Sequence, residues 1–136
     1  RNSSRPNTVG NKIPYAPDYT IQFGSTYSLP LSSTIELIAR LDYALIGPTW
    51  MHTIQNETVP NLFFSNLDFT PSQRDSYSTV NLRLGVEYEN WSATFFARNL
   101  LNENIVEEII PAPEFGGSFL QPGPKRAYGL EIAYSY

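Results

Sequence analysis

The side chains able to do chemistry are few in this sequence and lack the company they would need. His52 is the single histidine and cysteine is absent, so neither a thiolate metal site nor a disulfide framework is available. The neighbours of His52 are Trp50 and Met51, and a lone imidazole without a carboxylate at ligand spacing is a poor metal site. Serines and aspartates share no motif context with that histidine, and no phosphate-binding glycine loop occurs. Carboxylates gather without evident pairing: Asp68 and Asp75 in one stretch, Glu103, Glu107, Glu108 and Glu114 in another. Solvated loop charge is the preferred reading of these, with cation bridging as the alternative. The 13 acidic and 9 basic residues give a net charge of −4, and no Lys/Arg cluster forms a nucleic-acid footprint. An enzyme is therefore not expected, and neither is a cofactor, a metal or a nucleic-acid partner.

Six further charges, Arg40, Asp42, Arg83, Glu87, Arg98 and Glu131, fall within stretches of period-two patterning. Strands are what must position them. Helical periodicity is weak throughout, Pro is frequent at 11 residues, and alternation is the strongest signal. After a polar, Pro-rich stretch over 1–17, strands are predicted near 18–28, 33–46, 76–88, 91–100 and 126–136. In the second, Ile35, Leu37, Ala39, Leu41, Tyr43 and Leu45 share a face, with Arg40 and Asp42 opposite. In the third and fourth, a two-residue turn at Glu89-Asn90, with Asn tolerating positive φ, pairs Tyr88 with Trp91, Val86 with Ala93, Leu84 with Phe95 and Leu82 with Ala97. The other face then pairs Glu87 with Ser92, Gly85 with Thr94, Arg83 with Phe96 and Asn81 with Arg98. A one-residue slip would put the charges on the apolar face, so the register is well specified.

The composition is not that of an ordinary soluble domain. Tyr (9), Phe (8) and Trp (2) are plentiful and charged residues are only 16%, against roughly 25% in soluble domains. Hydrophobic residues reach 41% without any run near the ~18 apolar residues of a transmembrane helix. The connections alternate short (29–32), long (47–75), short (89–90) and long (101–125). Structureless loops of that length are uncommon in compact domains, whereas transmembrane barrels have short periplasmic turns and longer extracellular loops. The strand lengths suit a tilted span of about 9–11 residues. Aromatics sit near strand ends (Tyr19, Tyr27, Tyr43, Tyr88, Trp91, Tyr128, Tyr136), as interfacial girdles require. The expected class is all-β, an antiparallel transmembrane β-barrel fragment. Arg1 is preceded by no initiator Met or signal pattern, and a fragment is the preferred reading.

Three motifs resemble one family in order and spacing. Lys12-Ile13-Pro14-Tyr15-Ala16-Pro17-Asp18-Tyr19 resembles the "lPyaPe" loop-to-strand motif of TonB-dependent outer-membrane receptors. Phe96-Ala97-Arg98-Asn99-Leu100-Leu101-Asn102-Glu103 is similar to that family's "NLfde" strand end. Pro122-Gly123-Pro124-Lys125-Arg126-Ala127-Tyr128-Gly129-Leu130 resembles its "PgpPR.ygl" approach to the last strand, with Lys125 where Pro is common. The resemblance runs from Asn11 nearly to the end. It implies about five C-terminal strands of a barrel of about 22 strands with a plugged lumen, in the bacterial outer membrane with the C-terminus periplasmic. It also implies energy-coupled uptake of a scarce nutrient such as a ferric siderophore. The partners implied are outer-membrane lipid, the outer-membrane assembly machinery, and the rest of the receptor, through which the TonB complex would act. No plug domain or coupling box is expected within these residues, and five strands alone cannot close a barrel.

Two sets of residues follow from that placement. The terminal alternation Tyr128, Leu130, Ile132, Tyr134 and Tyr136 resembles the signal read by the assembly machinery; the plainer reading is an ordinary lipid-facing strand. Arg40, Asp42, Arg83, Glu87, Arg98 and Glu131 are lumen-facing candidates, for which a solvated wall of salt-bridged pairs outweighs a role with substrate or plug. The Asn-x-Ser/Thr matches at Asn2, Asn56 and Asn90 are at chance level for a bacterial protein. The substrate-binding residues are left unassigned. Alternative readings are another outer-membrane barrel or channel and, further off, a secreted β-sandwich carbohydrate-binding module using its aromatics as a stacking platform.

Overall fold

The structure is a computed structural model and describes residues 6–57, 59–60 and 66–136. In chain order the strands are β1 (Thr20–Pro30), β2 (Ile35–Ile46), β3 (Thr49–Trp50), β4 (Val59–Pro60), β5 (Asn66–Leu67), β6 (Gln73–Arg74), β7 (Tyr77–Tyr88), β8 (Trp91–Arg98), β9 (Val106–Ala112), β10 (Gly117–Pro122) and β11 (Ala127–Tyr134). Single 3-10 turns occur at Thr70–Ser72 and Pro113–Phe115. The chain divides into two compact units: one holds Thr20–Leu45, Tyr77–Asn104 and Pro124–Tyr136, the other the described residues up to Tyr19, of Ile46–Ser76 and of Ile105–Gly123.

The first unit is a five-stranded sheet in the order β1-β2-β7-β8-β11, leaving β1 and β11 as edges. Strands β7 and β8 are antiparallel and pair Leu82 with Ala97, Leu84 with Phe95, Val86 with Ala93 and Tyr88 with Trp91. Strand β11 continues the ladder, placing Tyr128 opposite Ala97, Leu130 opposite Phe95, Ile132 opposite Ala93 and Tyr134 opposite Trp91. Because side chains alternate across a strand, these pairs build one apolar face over three strands. The reverse face carries Arg83–Phe96–Gly129, Gly85–Thr94–Glu131 and Glu87–Ser92–Ala133 in successive rows.

The turn between β7 and β8 falls at Glu89-Asn90, but its left-handed residue is Glu89 (φ 50), not the asparagine. Neighbours on both sides fix that turn: the Glu89 amide donates to the Thr34 carbonyl (3.3 Å) and the Asn90 carbonyl accepts the Ser135 amide (2.9 Å). The tighter tie is to Ser135, so the end of the chain after β11 locks the hairpin. The Leu31 amide closes the other short turn on the Ile35 carbonyl (2.9 Å).

The second unit corrects the expectation of two long structureless loops. The stretch 101–125 is not a structureless loop, because β9 and β10 pair within it, Ile110 opposite Phe119 and Ala112 opposite Gly117. The run Val106-Glu107-Glu108-Ile109-Ile110-Pro111 breaks alternation and contains Pro, which cannot donate to a ladder, so it does not read as a strand. The stretch 47–75 likewise holds the short pairs β3–β6 and β4–β5. Trp50, Met51, Phe69, Ile105, Ile109 and Ala112 are buried together with Thr49, Gln55 and Ser72. The Arg74 guanidinium stitches this unit by donating to the Val106 carbonyl (3.0 Å) and to Thr49 Oγ1 (3.1 Å).

Candidate functional site

The polar face of the sheet collects most of the charged residues that the alternation singles out. Arg40, Asp42, Asn81, Arg83, Phe96 and Arg98 line one recess of about 340 Å³. A second hollow beside it is lined by Thr26, Ile38, Arg40, Arg83, Gly85, Glu87 and Thr94. Glu131 shares the face by its pairing with Thr94 but lines neither hollow. Glu87 and Glu131 lie in rows nearer the Glu89-Asn90 turn, while Arg83, in the middle of β7, and Arg98, at the end of β8, lie in rows farther from it. Across β7, β8 and β11 the cationic rows thus lie farther from the short turn than the acidic ones.

Glycines make room for these side chains. A Cβ at position 24 would lie 3.0 Å from Asp42 Oδ1, so glycine there lets the Arg40–Asp42 pair lie across β1. That pair is two-pronged: Arg40 Nε donates to Asp42 Oδ2 (2.9 Å) and Arg40 Nη2 to Oδ1 (2.9 Å). Both partners are well exposed, so solvent screening leaves the pair little net stability despite its geometry. At the other edge, the Phe96 ring lies directly over Gly129, where any Cβ would penetrate the ring. That accounts for an aromatic on the charged face: Phe96 covers the bare backbone of its cross-strand neighbour, and Arg98 stacks on it with its guanidinium carbon 5.4 Å from the ring centre.

The opposite face is largely apolar, and most of its large side chains are exposed. Tyr128, Leu130, Ile132 and Tyr134 are 53–66% exposed, and Phe23, Leu84, Val86 and Trp91 are also open. Aromatic pairs lie at the start of β8, Trp91 with Tyr134 (4.8 Å between centroids), and at its middle, Phe95 with Tyr128 (6.1 Å). The Arg126 guanidinium sits over Tyr128 at 5.6 Å. Tyr136 lies just beyond the last paired residue and is fully exposed.

One residue with a large structural role carries no charge. Asn99 ends β8 in a left-handed conformation (φ 47) and is 4% exposed. Its Nδ2 donates to the Glu103 carbonyl (3.0 Å) and to the Pro124 carbonyl (3.1 Å), and its Oδ1 accepts the Glu103 amide (2.9 Å). Its own amide donates to Asn81 Oδ1 (3.0 Å). The chain leaving β8 and the chain approaching β11 are thereby tied to β7. The available signal was the asparagine at the strand end, since Asn is enriched where φ is positive.

Outside the sheet, His52 is a packing residue: its ring stacks on Phe69 at 5.1 Å and its Nδ1 accepts the Ile54 amide (3.1 Å). Tyr15 donates to Glu108 Oε1 (3.2 Å), and desolvation followed by that carboxylate raises the phenol above its ordinary range. Among the described residues no group of three or more potential ligands could hold a metal ion, and no helix is long and apolar enough to cross a membrane, which leaves strand-based crossing open.

The sequence model of the family described as TonB dependent receptor-like, beta-barrel matches residues 1–100. No curated protein and no solved structure matches the chain.

Proposed function

The chain belongs to the TonB dependent receptor-like β-barrel family, a family of outer-membrane receptors, and from that premise we propose that it supplies the C-terminal wall of a receptor for energy-coupled uptake of a scarce nutrient such as a ferric siderophore. The observation that carries this reading is the division of the sheet into one exposed apolar face and one charged, glycine-hollowed face. An apolar face of this extent needs a non-aqueous neighbour, and in a barrel wall that neighbour is lipid. The charged face then borders the lumen, with Arg40, Asp42, Arg83, Glu87, Arg98 and Glu131 in its wall. A β-sandwich would instead cover the apolar face with a second sheet.

In this reading β11 closes the barrel against the first strand of the receptor, and its C-terminus lies at the periplasmic rim with the two short turns. The alternation Tyr128, Leu130, Ile132, Tyr134 and Tyr136 serves as the assembly signal. Transport itself needs the plug and the TonB complex, which act through the rest of the receptor. The test is to fractionate cells carrying the receptor that contains this chain. Recovery in the outer membrane, with faster gel migration before heating than after, is expected. Recovery as a detergent-free soluble protein would exclude the reading.

A further inference from the structure

The polar face holds Arg40, Arg83 and Arg98 against Glu36, Asp42, Glu87 and Glu131, but its three cations gather in one recess with Asp42 alone. Asp42 is engaged by Arg40 through a two-pronged ion pair. Arg83 feels Asp42 only through space, and Arg98 rests on the Phe96 ring. Among the described residues no carboxylate comes within ion-pair distance of Arg83 or Arg98. Glu87 and Glu131 lie in rows nearer the short turn, opposite Ser92 and Thr94. The recess that Arg40, Asp42, Arg83 and Arg98 share therefore holds three guanidiniums against one carboxylate.

The ring between the two unpaired arginines is well anchored. Phe96 is the direct cross-strand partner of Arg83 and the same-face neighbour of Arg98, and on its other side it packs on Gly129. Two guanidiniums lining one recess with this ring present forked donors whose planar geometry matches a carboxylate, with an apolar floor for the group that bears it.

We infer that Arg83 and Arg98, supported on Phe96, form a carboxylate-binding site on the polar face of the sheet. The inference rests on the reading of that face as the barrel interior, because a water-filled or protein-filled lumen is what brings an anion to it. The carboxylate comes either from an organic acid free in the lumen or from an acidic side chain of a segment seated there. Arg40 with Asp42 borders the site and sets its limit on one side.

The experiment uses the receptor containing this chain, purified in detergent, with citrate as the probe at low salt. Calorimetric titration compares the native receptor with R83Q/R98Q, with R83K/R98K, and with R126Q, whose cation lies over the apolar-face ring of Tyr128. Citrate binding weakened about tenfold or more by R83Q/R98Q, part-retained by R83K/R98K and untouched by R126Q supports a site for a free acid. Failure of citrate to bind, with a thermal midpoint lowered by R83Q/R98Q and by high salt but not by R126Q, supports a resident acidic side chain. Citrate binding indifferent to R83Q/R98Q overturns the inference, as does an absence of binding with an unchanged midpoint. Heat-modifiable migration is followed in every sample. Its absence from the native receptor counts against the barrel reading, whereas its presence with negative titrations counts against this site alone.

Discussion

Asn99 combines a backbone conformation that most residues avoid with a side chain that satisfies three backbone groups at once. Aspartate at 99 would keep the size and the tolerance of positive φ but would turn two donor contacts into oxygen–oxygen repulsion. Asn99→Asp is expected to destabilise the folded barrel by about 2–4 kcal/mol, and more than Asn99→Gly, which frees the backbone and removes the charge problem. Urea midpoints of the two variants in lipid vesicles check the order. Asp68 makes a pH-dependent contact of a different kind. Its Oδ1 accepts from the Thr70 hydroxyl (2.7 Å) and the Thr70 amide (2.9 Å), and these bonds, the hydroxyl first, hold its carboxyl below the usual range. A depressed folded value means the contribution is complete above the unfolded value of about 3.9 and is lost as pH falls through the lower folded value. Protection of the Thr70 amide from hydrogen exchange is expected to fall in that acid window, and Asp68→Asn is expected to flatten the dependence. None of this is visible in the order of residues, because asparagines and aspartates at loop ends are common and only their partners set them apart.

At the scale of strands, alternation carried most of the information. The hairpin β7–β8 has its residues on the faces and in the register that the pattern demands, since a slip of one residue would turn Arg83 and Glu87 outward. The turn itself was legible in place but not in detail: Glu89 bears the positive φ while Thr34 and Ser135, distant in sequence, hold it. Strands β9 and β10 were illegible, because Pro111 and the paired glutamates disguise a strand that owes its pairing to the hairpin and its buried Ile109 and Ala112 to the surrounding unit. The two faces of the sheet make opposite predictions for one substitution. Leu84→Arg, in the middle of the apolar face, is expected to cost about 2–4 kcal/mol in a bilayer, and Thr94→Arg, on the polar face, to stay within about 0.5 kcal/mol. Equilibrium unfolding of both variants in vesicles checks the contrast; equal costs would mean that both faces meet the same medium.

For the whole molecule the edges matter most. Both β1 and β11 end the sheet without a further partner among the described residues, and unpaired edge groups in lipid cost several kcal/mol each, so the remaining strands of a receptor are required to complete the wall. Deleting Tyr136 from that receptor is expected to lower its level in the outer membrane severalfold while leaving synthesis unchanged, as read by quantitative blotting of membrane fractions; normal surface levels would remove the assembly role from this residue. The sequence alone determined the class of the fold, the alternation of its two faces and the order of family motifs, because each depends on residue types at short, regular spacing. The tertiary structure decided the rest. Which arginine is paired and which is not depends on Gly24 leaving room for the Arg40–Asp42 bridge, and on Gly129 drawing Phe96 across the next strand to sit beneath Arg98. Those are contacts between strands, made across distances in the chain over which no local pattern extends.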